Sequence, residues 1–286
     1  MKLAGVGDNV VDRYRDLGTM FPGGQALNVA VYARRAGVES AYLGVVGDDV
    51  AGRHVLGALV AEGVDTSHVQ VRSGSNAFAE VALVGGDRRF VGSDPGVSRF
   101  RLTPADVDWL SSYDVIHSSE SSGLEGDLGL LAGAATLSFD FSVRRDPAYI
   151  EPLLPHIEIA EFSLADLDDG AAEAWLERIA SLGPRLVLAT RGARDALVYD
   201  GQRMWRQPAH PTELIDSLGA GDAFIARFLV GCLRGEPIQE SLAAAADSAA
   251  TTCQIYGAFG HGTAAHPPIQ ATTGLSDRSA SPVANR

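Results

Sequence analysis

The sequence is poor in cysteine and in basic residues. Its 286 residues include two cysteines, and Cys232 and Cys253 lack both the spacing and the neighbouring histidine pair of a zinc site, so neither a metal centre nor a disulfide framework is predicted. Lysine and arginine number 23 against 36 acidic residues, which gives a formal net charge of -13. Because a nucleic-acid partner demands a concentrated basic face, this balance argues against one.

Long apolar runs are also missing. No run approaches the length that spans a membrane, and the N-terminal stretch acquires a charge and glycines too early for a secretory signal. The sequence therefore predicts no membrane partner. Reduced cysteines and the lack of a signal favour a cytoplasmic protein.

The apolar residues that are present alternate between two patterns. Short β-branched runs are typical of buried parallel strands, and amphipathic segments between them are typical of helices. Together they predict an α/β layered fold with a mainly parallel central sheet. The runs lie at 3–6, 41–46, 115–117, 137–141, 157–162 and 186–189, and the helical segments at 26–36, 52–62, 104–110, 171–182 and 222–234.

Two regions depart from this alternation. The pattern of residues 77–92 is typical of a β-hairpin, which predicts a small flap beside the main sheet. Residues 263–286 are rich in Ala, Ser, Thr and Pro without periodicity, which predicts a disordered tail. Residues 1–262 are expected to form one domain.

A glycine-rich turn, DSLGAGD at 216–222, precedes the last of these helical segments. The amides of Ala220, Gly221 and Asp222 and the helix dipole can hold an anion there. Asp222 is placed to accept a proton from a hydroxyl that attacks a phosphoryl group, and Asp216 could act through magnesium. The alternative is a plain turn with an acidic N-cap, which is a common helix start.

Two polar residues near the N-terminus suit a polyhydroxylated ligand. Asp12 follows the first strand, and Asn28 follows the glycine pair of PGGQALN at 22–28. Short carboxylates and amides on rigid elements can bridge sugar hydroxyls. The alternatives are a solvated loop acid for Asp12 and an ordinary polar helix residue for Asn28.

Several of these segments resemble the ribokinase-like (PfkB-type) carbohydrate kinases. That family's signature, Asp-Thr-x-Gly-Ala-Gly-Asp-x-Phe, is matched at 216–224 with serine for threonine, and its Gly-Gly-x-x-x-Asn and Gly-x-x-Gly-Asp-Asp-x-x-Gly patterns are matched at 23–28 and 44–52. The resemblance implies a ribokinase-like layered fold with a β lid from about 11–22 and 73–92. It also implies residue roles: Asp222 as catalytic base, Gly219, Ala220 and Gly221 as anion hole, and Asp12, Gly24 and Asn28 as sugar-binding residues.

The resemblance extends to the nucleotide. It implies ATP and Mg²⁺ as cofactors, Thr190, Gly192 and Gln254 as nucleotide-binding residues and Asp166 beside Asp216 at the metal, and it leaves dependence on a monovalent cation open. The lid itself allows a homodimer, because an exposed two-stranded element is marginal alone and association would stabilise it. The chain departs from the family pattern at Ser163, Asp195 and Arg227.

The sequences of several segments are similar to those of family members that phosphorylate a fructosamine, such as fructoselysine, at its 6-hydroxyl. The most informative of these segments is FDFS at 139–142. A further hypothesis is that Glu80 and Arg88 on the flap bind the amino-acid head of such a fructosamine. The alternatives are a kinase of the same fold for fructose, a ketodeoxy sugar acid or a nucleoside, and an inactive sugar-binding regulatory protein.

Overall fold

The computed structural model describes the backbone of residues 1–84 and 87–265 and the side chains of residues 1–82 and 90–265. The strands are β1 Lys2–Gly7, β2 Val10–Tyr14, β3 Thr19–Gly23, β4 Glu39–Gly47, β5 Gln70–Arg72, β6 Phe78–Val84, β7 Asp87–Asp94, β8 Val115–Ser119, β9 Thr136–Asp140, β10 Ile159–Ser163, β11 Leu186–Thr190, β12 Ala196–Tyr199, β13 Met204–Gln207 and β14 Thr263–Ala264. The α-helices are α1 Gln25–Arg35, α2 Val50–Glu62, α3 Pro104–Leu110, α4 Leu128–Leu131, α5 Pro147–Ile150, α6 Asp169–Ala180, α7 Ala220–Arg234 and α8 Ile238–Thr252.

A nine-stranded sheet forms the centre of the fold. Its order is β13-β12-β11-β10-β9-β8-β1-β4-β5. The strands from β11 to β5 are parallel, and β12 and β13 add an antiparallel edge. The predicted α/β fold with a mainly parallel sheet is confirmed, and each predicted strand and helix lies within about two residues of an observed one.

Helices cover both faces of this sheet. Alternate residues of a strand point to opposite faces, so Leu3 of β1 belongs to the core cluster that includes α1, α7 and α8, while Ala4 belongs to the cluster that includes α3, α4 and α6. The near-continuous apolar runs of the central strands follow from burial on both faces.

The second sheet is small and has the order β14-β3-β2-β6-β7. It contains the hairpin predicted at 77–92, and β2 and β3 supply the rest. The predicted tail boundary is wrong by a few residues, because Thr263 and Ala264 pair with Met20 and Thr19 of β3 and Ala265 is buried. Residues 266–286, the rest of the predicted tail, lie outside the described residues.

The topology brings the carboxyl ends of the parallel strands to one edge of the large sheet, where α/β proteins bind their ligands. The helices α1 and α7 begin at this edge, and β2 of the small sheet crosses it. Among the described residues, the search for a helix long and apolar enough to cross a membrane finds none.

Candidate active site

The predicted phosphate turn ends in a helix N-terminus. Gly219 caps α7 with φ of 76°, a left-handed conformation that favours glycine, and the helix begins at Ala220, two residues earlier than predicted. The Ala220 amide already donates to the Ser217 carbonyl at 3.3 Å. The amides of Gly221 and Asp222 belong to the first turn, where helical amides have no intrahelical acceptor. The anion-hole role of this turn stays a prediction.

Asp216 holds this turn in place. Its carboxylate accepts hydrogen bonds from the Gly257 amide at 3.0 Å, the Leu218 amide at 3.0 Å and the Tyr14 hydroxyl at 2.5 Å. Tyr14 belongs to β2, so the carboxylate links the turn to the small sheet. These contacts give Asp216 a structural role, and its predicted part in magnesium binding stays a prediction.

Asp222, the predicted base, is in direct contact with Asn28, a predicted sugar-binding residue. Asn28 Nδ2 donates to Asp222 Oδ2 at 2.7 Å, although the two residues are 194 positions apart. Asn28 is buried in the first turns of α1, and the helix begins after Gly24, whose φ is 118°. A Cβ on Gly24 would lie 2.6 Å from the Asn9 Cα atom, so only glycine fits.

Asp12 completes this group from the small sheet. It lies in β2 opposite Phe21 and Ala79, and it is 3% exposed. Its Oδ2 is 2.6 Å from the position of a Cβ on Gly23, and its charge acts on Asp222. The structure therefore brings Asp12, Asn28 and Asp222 together, as the sequence predicted, and their individual roles stay predictions.

Three further residues belong to this site: Asp8 and Gln25 were missed from the sequence, and Asp140 lies in the FDFS segment at 139–142, for which no role was predicted. Asp8 accepts the first two amides of α1, from Gln25 at 2.8 Å and Ala26 at 3.1 Å, and so caps the helix. Gln25 Nε2 donates to Asp140 Oδ2 at 2.7 Å. Asp140 is the last residue of β9, and its side chain points away from the face of the sheet that holds Phe139. Asp140 therefore lies on the face that α1 and α7 cover. The strand end at Asp140 and the position of Gln25 directly after the glycine pair were the available signals.

The carboxylates of the site repel one another. The pKa of Asp222 is raised to about 8, mainly by burial and also by the negative charges of Asp140, Asp8 and Asp12, while the hydrogen bond from Asn28 opposes the rise. The pKa of Asp140 is likewise raised to about 7, mainly by burial and also by the charges of Glu120 and Asp8. A carboxyl whose pKa lies near the working pH is suited to accept a proton during a reaction.

Two buried oxygens at the site have no hydrogen-bond donor among the described residues. They are Asn28 Oδ1 and Gln25 Oε1, whose amide nitrogens are already used by Asp222 and Asp140. A buried acceptor without a donor is unfavourable. A ligand with several hydroxyls would supply the missing donors.

The predicted nucleotide residues lie at the end of β11. Thr190 closes the strand, and Gly192 has φ of 64° in the loop that follows. Asp195, a departure from the family pattern, pairs with the buried Arg191 at 2.6 Å and with Arg206. Its negative charge is therefore balanced within the protein. The nucleotide role of this loop stays a prediction.

The other predicted residues lie apart from the carboxylate cluster. Asp166 is exposed and forms a bidentate pair with Arg145 at 2.5 and 2.8 Å, which lowers the pKa of Asp166. Gln254 follows α8 and donates to Thr212 Oγ1 at 3.2 Å. Their metal and nucleotide roles stay predictions.

The remaining two departures have structural partners. Arg227, in the middle of α7, pairs with Glu236 at 2.9 Å, so this arginine ties the connection between α7 and α8 back to α7. The Ser163 amide donates to the Ser142 carbonyl at 2.7 Å, which fixes the ends of β9 and β10 relative to each other.

The hypothesis that Glu80 binds the head of the substrate is wrong. In the small sheet Glu80 is the register neighbour of Arg13, the residue next to Asp12, and therefore lies on the opposite face from Asp12. It pairs with Arg15 on that face. The side chain of Arg88 lies outside the described residues.

An α/β fold with a buried carboxylate and an amide at a helix N-terminus fits a phosphotransferase that acts on a polyhydroxylated substrate. The model of the pfkB family carbohydrate kinases matches residues 9–260, and the chain belongs to that family. The predictions of a carbohydrate kinase and of its family are thereby confirmed.

Individual relatives cover nearly the whole chain. Fructosamine kinase FrlD of Bacillus subtilis (strain 168) is 43% identical over 267 residues, which cover 92% of this chain and 94% of that protein. Fructoselysine 6-kinase of Shigella flexneri is 38% identical over 259 residues, with coverage of 90% and 99%.

The fold has relatives among solved structures. The ribokinase of Arabidopsis thaliana, complexed with ribose and ATP, superposes with a TM-score of 0.77 at 19% identity and covers 90% of this chain and 94% of that one. The predicted ribokinase-like fold is confirmed.

Proposed function

We propose that this kinase transfers the γ-phosphoryl group of ATP to the 6-hydroxyl of a fructosamine of the fructoselysine type. The observation that carries the proposal is the contact of Asn28 with Asp222 beside buried acceptors that have no protein donor. The similarity to a fructosamine kinase and a fructoselysine 6-kinase supports this class of acceptor.

Asp222 acts as the base in this reaction. It removes the proton of the 6-hydroxyl as the oxygen forms its bond to the γ-phosphorus, and the bond from that phosphorus to the leaving ADP oxygen breaks. Asn28 holds the Asp222 carboxylate in position. The first-turn amides of α7 stabilise the charge on the transferring group.

Magnesium would neutralise the ATP phosphates in this reaction. The described residues contain no group of three or more metal-ligating side chains, which fits an ion held largely by phosphate and water. Because ATP is the donor, the proposal includes the cytoplasm as the compartment.

The acceptor test compares turnover on fructoselysine, fructose, a ketodeoxy sugar acid and a nucleoside, with ADP release as the readout and NMR to locate the phosphate. We expect kcat/KM for fructoselysine to exceed that for fructose by at least 10-fold, with the phosphate on O6. A higher kcat/KM for any of the other acceptors would contradict the proposed substrate. ATP-independence or absence of turnover on every acceptor would contradict the kinase activity itself.

We further propose that the chain dimerises through the small sheet. The strand β7 is the edge of that sheet and exposes Phe90 by 61% and Val91 by 46%. An exposed apolar edge strand favours pairing with a second chain. Sedimentation velocity should give a dimer for the wild type and a monomer for Phe90→Glu. A monomeric wild type at micromolar concentration would contradict the proposal.

A further inference from the structure

Asp140 is a buried carboxylate whose partners are all neutral. It is 6% exposed, and its oxygens accept hydrogen bonds from Gln25 Nε2 and from the Ser142 amide, each at 2.7 Å. Neither partner carries a charge. The neighbouring Glu120, whose amide donates to the Asp140 carbonyl at 2.9 Å, has Arg144 as its own partner at 2.9 Å.

A buried carboxylate with neutral partners is unfavourable when it is ionised, and a second negative charge beside it increases the cost. Burial and the charges of Glu120 and Asp8 raise the pKa of Asp140 accordingly. A ligand that brings a positive charge to Asp140 would remove this cost. A neutral ligand would not.

The helix α1 sets the distance between this carboxylate and the base. Asn28 holds Asp222, and Gln25, three residues earlier on α1, holds Asp140. Three residues correspond to a rise of about 4.5 Å, which is comparable to the carbon chain of a hexose. A sugar whose 6-hydroxyl meets Asp222 therefore places its C1 end toward Asp140.

A fructosamine carries a secondary amine on C1, and this amine is protonated at neutral pH. We infer that Asp140, assisted by the negative charge of Glu120, binds this ammonium group and so selects fructosamines over neutral ketoses. The inference rests on the proposed function. The unpartnered oxygens Gln25 Oε1 and Asn28 Oδ1 belong to the two amides that hold these carboxylates, so each is placed to accept a hydrogen bond from a sugar hydroxyl.

The test isolates the charge of the substrate. Fructoselysine is compared with its derivative acetylated on the C1 nitrogen, which keeps the sugar and the lysine head but carries no charge on that nitrogen, and with fructose. The variants are Asp140→Asn and Glu120→Gln. Asparagine keeps an acceptor for the Ser142 amide, and Glu151→Gln, which removes an acid from the surface pair with Arg178, is the matched control.

For the wild type we expect kcat/KM to be about 10- to 100-fold higher for the amine than for its acetylated derivative, as for a charge-assisted hydrogen bond. Asp140→Asn should abolish most of this ratio through a higher KM for the amine, whereas kcat/KM for fructose should fall by a smaller factor. Glu120→Gln should lower the ratio at least threefold, and Glu151→Gln should leave it unchanged.

Equal losses on the amine and on fructose in Asp140→Asn would overturn the inference, because they would indicate a structural role. So would a wild type that turns over both forms equally, even though the proposed function would then stand. If thermal melting shows that Asp140→Asn does not fold, the ratio in Glu120→Gln decides. Turnover on fructose alone would instead refute the proposed function.

Discussion

Asp222→Asn is expected to lower kcat by about 100- to 10,000-fold, which is the usual contribution of a general base. The asparagine keeps an oxygen for the hydrogen bond from Asn28, so the sugar site should be preserved. Coupled measurement of ADP release gives kcat, and calorimetric titration with the sugar gives Kd, which should stay within about threefold. A variant with wild-type kcat would refute the assignment of Asp222 as the base.

The same variant should be more stable than the wild type, which distinguishes loss of the base from loss of the fold. The pKa of Asp222 is raised from its ordinary 3.8 to about 8 in the folded protein. The unfolded chain therefore releases this proton first, and the wild type loses stability as the pH rises from about 4 to about 8. Asparagine does not titrate.

Thermal melting should accordingly show a higher Tm for Asp222→Asn, with a difference that grows from pH 5 to pH 8. Asp108→Asn, on the exposed face of α3, is the control and should change neither kcat nor Tm. A Tm of Asp222→Asn below that of the wild type at pH 8 would show that the carboxylate stabilises the fold.

Gly221→Ala should reduce ATP-dependent turnover by at least about 100-fold without destabilising the protein. This loss of turnover is comparable to that caused by removing one hydrogen-bond donor to a developing charge. A Cβ on Gly221 would meet no protein atom within 4 Å, so the methyl group would occupy open space at the first turn of α7. That space is where the transferring phosphoryl group must approach the amides. Within α7, alanine favours the helix by roughly 0.5–1 kcal/mol over glycine.

Gly219→Ala is the matched comparison, because it acts on the fold instead. The residue has φ of 76°, and its Cβ would lie 2.7 Å from the Ala258 carbonyl oxygen. We expect a loss of about 1–3 kcal/mol in the free energy of unfolding, measured with urea. If Gly221→Ala keeps full activity, or lowers stability as much as Gly219→Ala, the phosphate position assigned to this turn is wrong.

The departures from the family pattern do not disturb the site. Asp195 is neutralised by Arg191 and Arg206, and Arg227 is paired with Glu236. All three pairs are formed between residues that lie close together in the sequence. They explain how the chain accepts charged residues where its family more often has glycine.

The sequence determined much of the fold, because the signals for it are local. The two-sided burial of the central strands produced the apolar runs, and the alternation of runs with amphipathic segments specified a parallel sheet with helices on both faces. The glycine-rich turn at 216–222 predicted a helix N-terminus, and its match to the family signature indicated phosphoryl transfer. Asp222, Asn28 and Asp12 could be chosen on this basis.

Only the tertiary structure showed how these residues meet and which others join them. Asp8, Gln25 and Asp140 lie in three separate segments, and local signals such as the strand end at Asp140 do not show that the three share one site. The face on which Glu80 lies depended on the strand register, since a shift of one residue would reverse it. Contacts between distant segments, such as that of Asn28 with Asp222, depend on how the whole chain packs, and local patterns do not encode that packing.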